Sequence, residues 1–132
     1  MMRRTLAILL CCMSLFIQVS IAQTGEFDAV VEEISSSLKV GNAKKLSNVF
    51  SNNLTLSVKK DDGTYSKFQA ELLLEDFFRS NKVEQLKRLQ CVNNAPNSYI
   101  VFSLKTAKST YRVFIKLSSV NKRFQVVELR IE

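Results

Sequence analysis

YSKFQAELLLEDFFRSN (Tyr65–Asn81) opens with a serine that is followed three residues later by a glutamine. At that spacing each side chain satisfies the other residue's free backbone N–H, so Ser66 and Gln69 predict a capping box and the start of a helix. Ala70, Leu73, Leu74, Phe77 and Phe78 fall on one side of that helix, while Glu71, Glu75 and Arg79 follow one another at i, i+4 spacing elsewhere on it. A helix with so heavy an apolar side needs a broad apolar surface to lie on. The sequence around it supplies strands.

Upstream, NLTLSVKKDDGTYSKF (Asn53–Phe68) has a period of two. Leu54, Leu56 and Val58 alternate with Thr55, Ser57 and Lys59, which predicts a strand, and Asp62-Gly63 predicts the hairpin turn after it because that pair tolerates positive φ. Earlier still, Phe27, Val30, Val31, Ile34 and Leu38 recur at three- and four-residue intervals over 26–39, a helix that Gly41 ends. Asn42 caps a second, short helix through Asn48, with Ala43, Leu46, Val49 and Phe50 turned inward.

After Lys82 the chain reads as four strands, VEQLKRLQCV, SYIVFSLK, STYRVFIKLS and RFQVVELRIE, separated by turn-like segments. One side holds Ile100, Phe102 and Leu104, then Tyr111, Val113, Ile115 and Leu117, then Gln125, Val127, Leu129 and Ile131. The other side holds Ser103, Lys105, Arg112, Lys116, Glu128 and Arg130, mixed with Val101, Phe114 and Val126. Self-association across the sheet would cover such a mixed face, so a homodimer is the expected assembly. The order helix, helix, strand, strand, helix, four strands predicts an α+β fold in which a curved antiparallel sheet folds around helices, with a cystatin-like α+β order.

The first 22 of the 132 residues read differently. Arg3 and Arg4 precede an uncharged apolar run from Leu6 to Ile17, and Ser20 and Ala22 stand three before and one before the Ala22/Gln23 bond. This is the pattern of a cleaved secretory signal, which predicts an exported, periplasmic or secreted protein and a single domain over 23–132. The run is shorter than the ~20 residues a membrane-crossing helix needs, so no span is expected after cleavage. Cys11 and Cys12 are then apolar filler. Cys11 follows Leu10, not the small residue that a lipidation site requires. Cys91, left alone, has no disulfide partner within the chain and is expected to pack as a small hydrophobe.

Removing Arg3 and Arg4 leaves 17 basic against 12 acidic residues. The cations occur as scattered pairs, such as Lys44-Lys45 and Lys87-Arg88, and the export signal argues against nucleic acid as the partner. An anionic envelope component is the function class that this charge leaves open.

GNAKKLSNVFSNNLTL, YSKFQAELLLEDFF, YRVFIKL and the terminal ELRIE together resemble the small exported Bacteroidota proteins grouped as domain of unknown function 4783. The resemblance spans nearly all of 23–132, and YSKxQAExxLxDFF is its most specific part. It implies a nuclear transport factor 2-like fold, a cone of helices and strongly bent sheet, and it implies no activity. The family pattern has a His and a Gly near the end of the third strand. This chain reads Leu89, Gln90, Cys91 there, so no role of that histidine carries over.

That superfold hosts unrelated functions, so the site must decide. The chain contains no histidine, which removes the commonest general base and metal ligand and any Ser-His or Cys-His nucleophile. What remains for an isomerase or lyase of ketosteroid-isomerase type is Asp76, at the border of the apolar face, as base, with Tyr65, Tyr99 or Tyr111 as hydrogen-bond donor. Tyr65, Phe77, Phe78, Phe102 and Tyr111 are the candidate pocket residues. Asp61 and Asp62 lack the alternating oxygen ligands of a calcium loop, so neither a metal nor a cofactor is expected. The function expected is a non-enzymatic domain that binds a small apolar ligand or a protein partner.

Overall fold

The computed structural model describes residues 25–94 and 96–132. The expected signal, its cleavage bond and Cys11-Cys12 lie outside the described residues. Helix α1 (Gly25–Val40) and short helix α2 (Ala43–Ser47) lead into strands β1 (Phe50–Val58) and β2 (Asp61–Ser66). Helix α3 (Lys67–Ser80) follows, then β3 (Val83–Val92), β4 (Ser98–Thr106), β5 (Thr110–Val120) and β6 (Arg123–Ile131). The six strands form one curved sheet in the order β2-β1-β6-β5-β4-β3. This is the α+β order read from the sequence.

The local signals act as expected at the helix ends. Ser66 Oγ accepts from the Gln69 backbone N–H at 3.2 Å and Gln69 Oε1 accepts from the Ser66 N–H at 3.1 Å, which is the predicted capping box. Gly41, with φ +66°, ends α1, and its N–H donates to Leu38 O while the Asn42 N–H donates to Ser37 O. A side chain at Gly41 would also press on the Phe78 ring, 3.4 Å from where its Cβ would stand. Asn42 Oδ1 in turn accepts from the Lys45 N–H and caps α2.

Three details of the sheet depart from expectation. The β1–β2 turn is at Lys59-Lys60, not at Asp62-Gly63: Val58 pairs with Asp61, and Lys59 takes the positive φ of 55°. The cap at Ser66 fixes where β2 must end. A turn at 62–63 would leave only Thr64, Tyr65 and Ser66 to pair, whereas the observed turn gives six pairs and lays Gly63 opposite Leu56.

β6 carries a bulge, so that Lys116 faces Glu128 but Leu117 faces Val126. Val127 is the extra residue, which turns Val126 inward, fully buried, and leaves Val127 and Gln125 off the core side where the period of two had placed them. The junction of β1 with β6 runs parallel, while the other four are antiparallel. α3 forces this, because it carries the chain from β2 at one edge to β3 at the other, and β6 returns to pair with β1.

The core lies between the concave face of the sheet and the helices. Ile34 and Leu38 of α1, Leu46 of α2 and Leu74 of α3 meet Leu56, Ile100, Phe102, Leu104, Ile115 and Leu117 of the strands, all without solvent exposure. No helix of the described residues is long and apolar enough to cross a membrane.

Candidate functional site

The interior of the cone is filled by four of the five side chains that were candidates to line a pocket, Phe77, Phe78, Phe102 and Tyr111. Phe77 is 3 % exposed and meets Phe78 and Tyr111 edge to face, with ring centroids 5.4 and 5.2 Å away. Phe78 packs under Gly41, and Phe102, fully buried, floors a groove between α1 and β3 without opening into it. Tyr111 is half-buried, and its hydroxyl donates to Asn81 Oδ1 at 3.0 Å. Asn81 is itself fully buried and its Nδ2 donates to Phe77 O at 3.0 Å, closing the end of α3 against β5. Tyr111 therefore serves as a structural clamp with its hydroxyl already engaged.

Asp76 is not inside. Its side chain is 78 % exposed and lies 3.7 Å from the Arg79 guanidinium, one turn along α3. Successive residues of a helix are rotated by about 100°, so Asp76 falls well outside the arc that Ala70, Leu74 and Phe77 bury. Tyr65 lines the same shallow groove as Asp76, together with Gln69, Leu72 and Leu73, but no hydrogen bond joins the two among the described residues. Tyr99 is on the opposite face of the sheet, stacked on Phe114 with its hydroxyl oxygen accepting from Gln90 Nε2 at 3.0 Å. The expected base and its three possible donors do not converge. Cys91 is exposed, not packed, because β3 is an edge strand with a single neighbour to cover it.

What the structure brings together instead is an apolar strip on the outer side of α3, diametrically opposite its core arc. Phe68 and Leu72, at i, i+4 spacing, are 66 % and 47 % exposed, and Val40 at the end of α1 is 71 % exposed beside them. With Gly41, Asn42, Ala43, Lys44, Glu71 and Glu75 these three line an open groove of about 820 Å³. The shallower groove of Tyr65, Gln69, Leu73 and Asp76, about 400 Å³, shares Leu72 and extends the strip across the helix.

Carboxylates border the strip. Glu71 accepts from Ser47 Oγ at 3.1 Å, and Arg79 lies 3.6 Å from Glu75. Sequence reading missed Phe68, Leu72 and Val40 because it followed the apolar arc of α3 and stopped there. The available signal was two large apolar residues one turn apart among Glu71, Glu75 and Arg79, on the side a helix of this kind gives to water.

A model of the family described as Domain of unknown function (DUF4783) matches residues 31–132. This chain belongs to the DUF4783 family. A DUF4783 protein from Bacteroides uniformis ATCC 8492 superposes with a TM-score of 0.74 at 21% identity, covering 76% of this chain and 94% of its own. One from Bacteroides ovatus ATCC 8483 gives 0.72 at 21% identity, covering 75% of this chain and 90% of its own.

The likeness reaches beyond the family to an NTF2-like protein of unknown function from Shewanella baltica OS155, with a TM-score of 0.64 at 10% identity over 87% of this chain and 96% of that one. Likeness at these identities fixes the fold and nothing finer. No curated protein matches this DUF4783 chain. The nuclear transport factor 2-like cone expected from the sequence is thus the fold of this family member, and its function has to be argued from its own surface.

Proposed function

We propose that this DUF4783 domain is a non-enzymatic binding module that docks a protein partner on the outer face of α3, not a small ligand inside the cone. The observation that carries the reading is the contrast between the packed interior and the exposed trio Val40, Phe68 and Leu72, which share one groove. Large apolar side chains grouped on a surface cost solubility and are the usual mark of a docking site. Glu71, Glu75 and Asp76 around the strip favour a polypeptide segment that carries apolar anchors flanked by Lys or Arg. The catalytic alternative loses support from Asp76, which is solvated, ion-paired and hydrogen-bonded to no tyrosine hydroxyl among the described residues.

A photo-crosslinking amino acid placed at position 72, in protein expressed in its own host, tests this. A discrete polypeptide adduct at 72, absent when the same group replaces the equally exposed Val120, supports the reading. Equal labelling at both positions, or a small molecule retained in the cone after native mass spectrometry, refutes it. Arg3-Arg4, the apolar run and Ala22 support export of this domain to the periplasm or beyond. An intact mass beginning at Gln23 is the expected result for protein recovered from the host envelope.

A further inference from the structure

The strand register places Lys87, Lys105, Arg112, Lys116 and Arg130 among the residues on the side of the sheet away from the helices. Lys87, Ser103 and Arg112 form one cross-strand row over β3, β4 and β5, and Lys105 projects from β4 two residues beyond Ser103. In the next rows Phe114 pairs with Arg130, and Tyr99 with Lys116. Three carboxylates share the face, one of them Asp62 of β2, which stands in the row of Ser57 and Arg130. Glu128 is held by Arg130 at 2.7 Å, and Glu132 lies beside Arg112, to which its backbone is bonded in both directions. Lys87, Lys105 and Arg112 are exposed and form no ion pair among the described residues.

Beside these cations the face carries an aromatic ridge. Tyr99 and Phe114 stack with centroids 5.8 Å apart, Gln90 fixes the tyrosine hydroxyl, and Val101 beneath them is only 3 % exposed. The apolar part of the face is therefore already covered from within. The unpaired cations Lys87, Lys105 and Arg112 favour an anionic occupant of this face over a second copy of the chain.

We infer that this face binds a linear acidic polysaccharide, with Lys87, Lys105 and Arg112 holding its carboxylate or sulfate groups and the Tyr99–Phe114 ridge lying against the apolar C–H surface of a sugar ring. The face is the open outer surface of the sheet, which suits an extended polymer over an enclosed small molecule. Cations on one side of a stable aromatic platform give both a steering field and a surface for ring contact. The export signal read from residues 1–22 takes the chain toward such polymers and away from nucleic acids, the other common polyanion.

The test is titration of the purified protein with polygalacturonate and with dextran sulfate, using neutral dextran, polyglutamate, oligo(dT) and phosphatidylglycerol vesicles as comparison probes. Binding to both acidic glycans, weakened by salt, is expected, with roughly tenfold or greater loss in the Lys87→Gln/Lys105→Gln/Arg112→Gln variant. Lys60→Gln/Lys67→Gln/Lys122→Gln removes the same charge elsewhere and should bind within about twofold of the parent protein. Tyr99→Leu should weaken the glycans several-fold and leave any residual polyglutamate binding unchanged. Equal loss in the two triple variants would show a net-charge effect and overturn the inference. So would binding of polyglutamate, oligo(dT) or the vesicles as tight as that of the glycans, or indifference to Tyr99→Leu.

Discussion

Phe77→Ala separates a packed cone from a lined cavity. The ring of Phe77 is 3 % exposed and held edge to face by Phe78 and Tyr111, with Lys59 Nζ 5.6 Å above its centroid. Truncation removes the transfer free energy of the ring and leaves a void that β5 and α3 cannot close, since Asn81 ties them together on one side of it. Phe→Ala at such sites costs about 3–5 kcal/mol, of which each aromatic pair accounts for roughly 0.5–1.5 kcal/mol.

A domain of this size has about 5–15 kcal/mol in total, so the variant should still fold, but with its urea midpoint shifted far down. The assay is urea unfolding followed by circular dichroism, with the slope m compared as a check on two-state behaviour. The void would be apolar and of ring size, so benzene or indole should bind the variant and recover part of the loss. A loss below about 1 kcal/mol, or benzene binding as strong in the parent protein, would refute the claim that Phe77 is core and not pocket wall.

Ser66→Ala breaks the capping box that aligns β2 with α3 and should cost about 1 kcal/mol by thermal or urea unfolding; no measurable change would mean that the cap is not carrying the junction. Asp76→Asn removes one exposed partner of Arg79 and should alter stability by less than about 0.5 kcal/mol, with no effect on partner capture at position 72 beyond a weak loss of charge attraction. Asn121 and Lys122 both sit at positive φ, 52° and 63°, in the two-residue turn between β5 and β6. Lys122→Gly creates Asn-Gly, the preferred pair for that turn, and should raise stability by about 1 kcal/mol, seen as a higher urea midpoint.

The helices were legible because their signals are local. Ser66 and Gln69 cap each other whatever surrounds them, and Gly41 is required both for its φ and for the closeness of Phe78. β3 was legible to the residue, Val83–Val92, since its ends are marked by Lys82 and by the polar Asn93-Asn94. The first hairpin turn was not, because Asp62-Gly63 is the better turn pair taken alone and only the demand for six paired residues up to and including the Ser66 cap moves it to Lys59-Lys60.

The Val127 bulge was likewise hidden. A period of two fits Gln125–Ile131 as well as the true pattern does, and the choice is made by burying Val126 where it meets Phe50 of β1. At the candidate site, a border position on the helix suggested a buried Asp76, but the side chain falls on the wet side of the border. The exposed strip of Phe68, Leu72 and Val40 joins residues from two helices and so appears only once α1 and α3 are set side by side.

The most direct test of a closed cone with its binding surface outside is methyl NMR of the whole domain titrated with indole as an apolar probe. Shifts confined to Val40, Leu72 and Leu73, with Leu74, Ile100, Leu104 and Ile115 unmoved, are the predicted result. Shifts at those four buried methyl-bearing residues, with the α3 strip silent, would contradict it.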